Sequence, residues 1–160
     1  MEGGSFDQKW VLRAIELSAV HMRSGEGGPF GAVVIRDHEL IAEGWNQVTS
    51  SNDPTAHAEI VAIRHAAAAL GSFRLTGCVL YSSCEPCPMC LAAAWWARVD
   101  RVVYAAGRDD AAEAGFDDAL LYEELALPLG ERRLAIRQCE REAGRIVLRE
   151  WSAMPNKIQY

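Results

Sequence analysis

A chain of 160 residues, half of them hydrophobic and 24% charged, has the length for one domain with a full core and the balance of an ordinary globular protein. Its formal charge of −6 argues against a polyanionic partner, since affinity for nucleic acid comes largely from Lys and Arg on phosphate. No apolar run reaches the length of a membrane span, and Met1-Glu2-Gly3-Gly4-Ser5 does not read as a signal peptide. The five cysteines are an odd number, four of them between Cys78 and Cys90, which suits metal binding in a reducing compartment better than a disulfide framework. The expectation is a cytoplasmic protein that contacts neither membrane nor nucleic acid.

Taken in order, Ser5 and Gln8 resemble a capping box, and Trp10, Val11, Ala14, Ile15, Leu17 and Ser18 recur at helical spacing up to Arg23. Phe30 to Arg36 is apolar and β-branched, Asp37-His38-Glu39 turns, and Leu40 to Asn46 reads as the hairpin partner. Asn52-Asp53-Pro54 reads as a helix start, Asp53 as N-cap and Pro54 at the first position, with Gly71 as the stop. Cys78 to Ser82 reads as a strand, Pro88 to about Arg98 as a helix, and Arg101 to Ala105 as a strand. Asp117 to Leu125 reads as a helix capped by Asp117, Leu134 to Gln138 as a last strand, and Glu142 to Ala153 as a last helix. Residues 155–160 remain as a tail on a single domain spanning 1–160. Alternating helices and strands predict an α/β sandwich whose sheet is mostly parallel and begun by one hairpin.

Two stretches carry the chemistry: Thr55-Ala56-His57-Ala58-Glu59 and Cys84-Glu85-Pro86-Cys87-Pro88-Met89-Cys90. An imidazole and two thiols make a three-ligand set for zinc, which in hydrolytic sites leaves the fourth tetrahedral position to water. His57, Cys87 and Cys90 are the ligands expected for one catalytic Zn2+, and Glu59 is left free to carry protons. A redox Cys-x-x-Cys pair, or a closed Cys3His structural site that includes Cys84, would use the same residues. An iron–sulfur run would want a cysteine where Ala94 stands. Cys84 is read as a buried thiol at a strand end. His21, His38 and His65 match no ligand spacing.

His-x-Glu followed by Pro-Cys-x-x-Cys resembles the zinc nucleobase deaminases of the cytidine and deoxycytidylate deaminase group. Gly28-Pro29-Phe30-Gly31-Ala32, Asn52 to Glu59, Ser83 to Cys90 and Ala111-Ala112-Glu113-Ala114-Gly115-Phe116-Asp117-Asp118 look like bacterial guanine deaminases, over essentially the whole chain. The first three motifs are largely shared with tRNA adenosine deaminases. The fourth and the C-terminal Tyr160 favour guanine. That resemblance implies a three-layer αβα sandwich with a central five-stranded mixed sheet, and hydrolysis of guanine to xanthine and ammonia with Glu59 as both base and acid. It also implies a homodimer in which the C-terminal segment is a lid that reaches the partner's site, with Tyr160 closing it.

Guanine presents a ring N–H beside its exocyclic amino group, a donor pair that suits a carboxylate, whereas adenine presents an acceptor there. Asp118 is the candidate for that edge and for relaying a proton, with Glu113 a weaker rival. Asn46, Phe30, Trp96 and Phe116 are the other candidate base contacts, and Trp95 could as well face a dimer partner. tRNA adenosine deamination, deamination of another nucleobase or aminotriazine, and a zinc-stabilised binding protein without turnover are the competing functions.

Overall fold

A computed structural model describes residues 3–116 and 118–160, arranged as two compact units that meet in sequence at Asp118 and Ala119. In the first unit the elements are α1 (Gly3–Arg23), β1 (Gly31–Arg36), β2 (Glu39–Trp45), α2 (Val48–Ser51), α3 (Ala58–Leu70), β3 (Cys78–Cys84), α4 (Pro88–Trp96), β4 (Arg101–Ala106) and α5 (Arg108–Glu113). The strands form one sheet in the order β2-β1-β3-β4. β1 lies antiparallel to both β2 and β3, and only β3 and β4 run parallel. The sheet is therefore mixed, and mostly antiparallel where a mostly parallel one was expected. The reason is topological: the hairpin reverses the chain, and α3 then returns it to the far side of β1, so β3 must enter against β1.

Each face of β1 has its own partner. Ala32 and Val34 join Ala42, Leu80 and the alanines of α3 in one buried cluster, while Val33 and Ile35 join Trp10, Leu17 and Tyr81 under α1. Period-two alternation on a central strand thus feeds two cores, which gives the three layers. The β1–β2 turn places Asp37 and His38 at φ 50 and 68, the two left-handed residues of a type I′ hairpin, with Arg36 paired to Glu39 across it. α1 begins at Gly3, ahead of the capping box expected at Ser5.

α3 comes unusually close to the sheet because of what it lacks. Ala58, Ala62 and Ala66 recur every four residues and are fully buried, and across from them a Cβ on Gly44 would sit 2.4 Å from the Ala58 carbonyl oxygen. Small side chains on both sides let the first turn of the helix rest on β2. That contact fixes where the helix begins in space, and with it His57 and Glu59.

The helix starts later than expected. Asp53 does not cap it; its Oδ1 accepts from the Thr55 N–H at 2.8 Å and the Thr55 hydroxyl at 2.7 Å, closing a turn on itself. His57 is the N-cap residue and Ala58 the first helical one. Gly71 ends α3 in the left-handed region at φ 59, as the stop signal requires.

The second unit holds α6 (Ala119–Ala126), a 3-10 turn (Leu129–Glu131) and α7 (Arg141–Ala153). None of residues 119–160 is buried. Leu134 to Gln138 is not a strand; it lies without a ladder, with Leu134 75% and Ile136 45% exposed, because an extended segment becomes a strand only when a neighbour pairs with it. The described residues therefore show four strands where five were expected. The helix cap expected at Asp117 falls outside the described residues.

Candidate metal centre and active site

Two helix starts converge at the end of the sheet. His57 is the N-cap residue of α3 and Cys87 that of α4, with Pro88 at its first position and Cys90 in its first turn. β3 delivers the second start: Cys84 is its last residue and pairs with Ala106 of β4, so the loop to Cys87 begins at a point held by the sheet. The ligand atoms of His57, Cys87 and Cys90 all lie within 4.8 Å of one another. His57 Nδ1 is 3.6 Å from each of the two sulfurs. A tetrahedral zinc with bonds of about 2.3 Å to sulfur and about 2.0–2.1 Å to nitrogen holds such atoms about 3.5–3.6 Å apart, so the cradle fits the ion.

Charge on the donor set tells the same story. The Cys87 thiol is pulled well below its usual value, by its hydrogen bond with Cys90 and then by His57, while Cys90 is pushed up by the neighbouring Cys87 thiolate and by burial. His57 is raised, chiefly by Cys87. A divalent ion would take both as thiolates and the ring as neutral, releasing protons as it binds.

Glu59, in the first turn of α3, is 5% exposed. Its Oε1 accepts from the Ser82 hydroxyl at 3.1 Å and its Oε2 from the Cys90 thiol at 3.4 Å. Burial raises its carboxyl above the ordinary value. An acid moved towards neutrality can both accept and return a proton, which is what one residue serving two steps needs. Ser82 was missed in the sequence; the sign of it was the pair Ser82-Ser83 inside a strand, both buried, with Ser83 Oγ accepting the Gly31 N–H at 3.0 Å.

These groups open onto a cleft of about 580 Å³. Asn46, Phe30, Phe116 and Asp118 line it together with His57, Glu59 and Cys87. The Asn46 side chain is oriented by its neighbours: Oδ1 accepts from the Gly28 N–H at 3.1 Å and the Val48 N–H at 3.3 Å. Its amide NH2 is thereby the group left to present as a donor. Gly27 makes this possible, since a Cβ there would meet the Asn46 carbonyl oxygen at 1.9 Å. The rings of Phe30 and Phe116 meet edge to face at 4.8 Å. Burial, and then the Cys87 thiolate, raise the Asp118 carboxyl.

Trp96 is 58% exposed at the end of α4 and is not among the residues lining the cleft, while Tyr160 belongs to the second unit and is 71% exposed. Cys84 does line the cleft, but its thiol points to the Gly107 carbonyl at 3.7 Å and it stands outside the three-ligand group. Glu85 and Arg108 also line the cleft and were not foreseen. His21 stacks on Trp45 and pairs with Glu26, and His65 Nδ1 donates to the Glu43 carbonyl, so neither faces the metal centre.

The profile of the cytidine and deoxycytidylate deaminase zinc-binding region matches residues 5–106. The chain belongs to that family. Among deaminases of the family, it is 48% identical to the guanine deaminase of Bacillus subtilis over 153 residues, covering 96% of this chain and 98% of that protein. The X-ray structure of a Bacillus subtilis guanine deaminase superposes with a TM-score of 0.93 at 48% identity, covering 96% and 98% of the two chains. A guanine deaminase from Nitrosomonas europaea superposes at 0.64 with 32% identity, covering 88% of this chain and 71% of that one. The tRNA-specific adenosine deaminase of Haemophilus influenzae is 42% identical over 102 residues, but covers 63% of this chain and 58% of that protein. Zinc is the family's metal, and His57, Cys87 and Cys90 are the residues that would hold it.

Proposed function

We propose that this deaminase hydrolyses free guanine to xanthine and ammonia. The observation that carries the reading is extent. Likeness to guanine deaminase spans 96% of the chain, whereas likeness to the tRNA enzyme spans 63%. The net charge of −6 weighs the same way, against an anticodon ligand.

A zinc ion held by His57, Cys87 and Cys90 would supply a water made nucleophilic near neutral pH. Glu59 takes the proton of that water and passes it to the ring nitrogen beside the carbon that bears the amino group. It then shepherds a second proton to the departing amine, so that guanine and water become xanthine and ammonia. Asp118 accepts from the ring N–H and amino edge, and its raised pKa suits a further proton relay to the leaving group. Asn46 donates its NH2 to an acceptor on the purine. Phe30 and Phe116 supply an apolar slot for the ring.

We read the molecule as a homodimer in which 1–160 acts as one deaminase domain per active site. Among the described residues β4 is the last strand of the sheet, Leu134 to Gln138 lacks a ladder, and residues 119–160 carry exposed Leu, Ile, Val and Trp. A second copy supplying its C-terminal segment would add the fifth strand, and residues 155–160 would close the partner's cleft with Tyr160. Trp95 and Trp96, both exposed on α4, belong to the surface such a partner would cover.

The test is ammonia release, with xanthine formation followed by absorbance, on free guanine and on an anticodon stem-loop carrying adenosine. Turnover of guanine alone supports the reading. Turnover of the stem-loop alone overturns it in favour of tRNA adenosine deamination.

A further inference from the structure

The chain between the zinc ligands and Asp118 is tied back to the metal loop through Glu85 and Arg108. Glu85, between the end of β3 and Pro86, donates its own N–H to the Ala106 carbonyl at 2.8 Å, extending the β3–β4 ladder by a residue. Its carboxylate then reaches forward. Oε2 accepts the backbone N–H of Arg108 at 3.1 Å, and Oε1 accepts Nε of the same arginine at 3.1 Å as well as its Nη2. Three hydrogen bonds to one partner, two from a guanidinium fork, define a fixed geometry that a lone ion pair does not. The glutamate side chain is 19% exposed, so solvent competes weakly at that end.

From Arg108 the chain runs through α5 to a turn at Gly115, where φ is +90, and then to Phe116 and Asp118. Gly107, just before the helix, donates its N–H to Asp110 at 2.7 Å, and the Phe116 N–H donates to the Ala111 carbonyl at 2.9 Å. Residues 107–116 are thus closed on themselves by their own hydrogen bonds. That piece is one wall of the cleft. It is held at its far end by the edge-to-face contact of Phe116 on Phe30, and at its near end by Glu85, two residues before the zinc ligand Cys87.

We infer that Glu85 and Arg108 form a positioning clamp that sets the distance from the zinc-ligand loop to Asp118, and so the register in which a substrate ring sits between Glu59 and Asp118. This rests on the guanine reading of the cleft. The zinc ligands do not depend on the clamp, because Cys87 and Cys90 are placed by β3 and α4 and His57 by α3. Losing the clamp therefore loosens the substrate wall and leaves the metal in place. Such a change raises KM more than it lowers kcat, as expected when binding contacts shared by ground and transition states are lost.

The test uses the full chain with zinc bound and the variants Arg108→Ala, Arg108→Lys, Glu85→Gln and the double Glu85→Gln/Arg108→Ala. Zinc stoichiometry, kcat and KM for guanine, and amide hydrogen exchange are measured on each. Arg108→Ala is expected to raise KM about five- to twentyfold with kcat within about threefold, and zinc unchanged. The double variant should be no worse than the worse single, the signature of one shared contact. Arg108→Lys should fall between wild type and Arg108→Ala, since an ammonium keeps the charge and loses the fork. Amides of residues 109–116 should exchange faster while those of α3 do not. An unchanged KM, zinc loss in step with KM, or additive effects in the double variant would each overturn the clamp. Failure of the wild type on guanine would instead sink the substrate reading, and exchange over 109–116 still decides whether the pair holds the wall.

Discussion

Glu59 sits where a helix start, a strand serine and a zinc-ligand thiol converge, and its burial decides what its carboxyl can do. Replacing it with glutamine keeps the shape and removes the proton carrier. Ammonia release should fall by about 10²- to 10⁴-fold while zinc stays at one per chain by metal analysis. A variant that keeps turnover would assign the zinc a structural role only. The two kinds of cysteine separate by metal content as well. Cys87→Ala should purify without zinc, whereas Cys84→Ala should retain it, because the Cys84 thiol is spent on the Gly107 carbonyl outside the ligand group. Gly27→Ala drives a methyl into the Asn46 carbonyl, and should raise KM for guanine with zinc content unchanged. An unchanged KM there would remove Asn46 from the substrate site. Most of the metal centre was legible at this scale, since His57, Cys87 and Cys90 announce themselves by residue type and spacing. Ser82 and the Glu85–Arg108 pair did not, because a hydroxyl or an ion pair becomes informative only when its partner is known.

The elements place these side chains by close contact of small residues. α3 reaches β2 because Ala58, Ala62 and Gly44 leave room, and a β-carbon at Gly44 would push the helix start away from the metal loop. The opposite face of the sheet is fastened by a polar contact. Tyr81, fully buried on β3, donates its hydroxyl to Asp7 of α1 at 2.6 Å, and Arg101 of β4 reaches the same carboxylate at 2.8 and 2.9 Å. Arg101, and then Tyr81, hold the Asp7 carboxyl below its ordinary 3.8, while burial, and then Asp7, push the Tyr81 phenol up to about 12. A depressed acid stabilises the fold above its unfolded pKa and ceases to as pH falls through the folded one. A raised phenol stabilises the fold below its unfolded pKa of 10.0 and ceases to as pH rises through about 12. The stability gap between wild type and Asp7→Asn, read from urea midpoints, should therefore be widest between about pH 4 and pH 10 and narrow on both sides. A gap that is flat with pH would mean that the contact contributes nothing through charge. The hairpin, the four strands and the long helices were readable from period and turn residues. The start of α3 was not: Asp53-Pro54 is a good helix opening by local rules, but packing against β2 begins at Ala58, and tertiary contact overrode the local signal.

Over the whole molecule, residues 119–160 are an anomaly for a single copy. α7 presents Ile146, Val147, Leu148 and Trp151 to solvent, and no residue of this unit is buried. In the homodimer proposed above, these apolar side chains would be covered by the second copy. Sedimentation should show a dimer for the full chain. The double variant Leu148→Glu/Trp151→Glu should sediment as a monomer and lose guanine turnover while keeping its zinc. A wild type that is monomeric and fully active would end the shared-site reading.

Residue types and their spacing determined by themselves that three ligands and one free carboxylate would meet, because metal chemistry tolerates few donor sets. The strand directions, the true beginning of α3, the exposure of Trp96 and the unpaired state of Leu134 to Gln138 were decided only in three dimensions. Each of those depends on a neighbour distant in sequence: a strand needs another strand, a helix needs a surface to rest on, and a tryptophan is a pocket wall only if the chain brings a pocket to it.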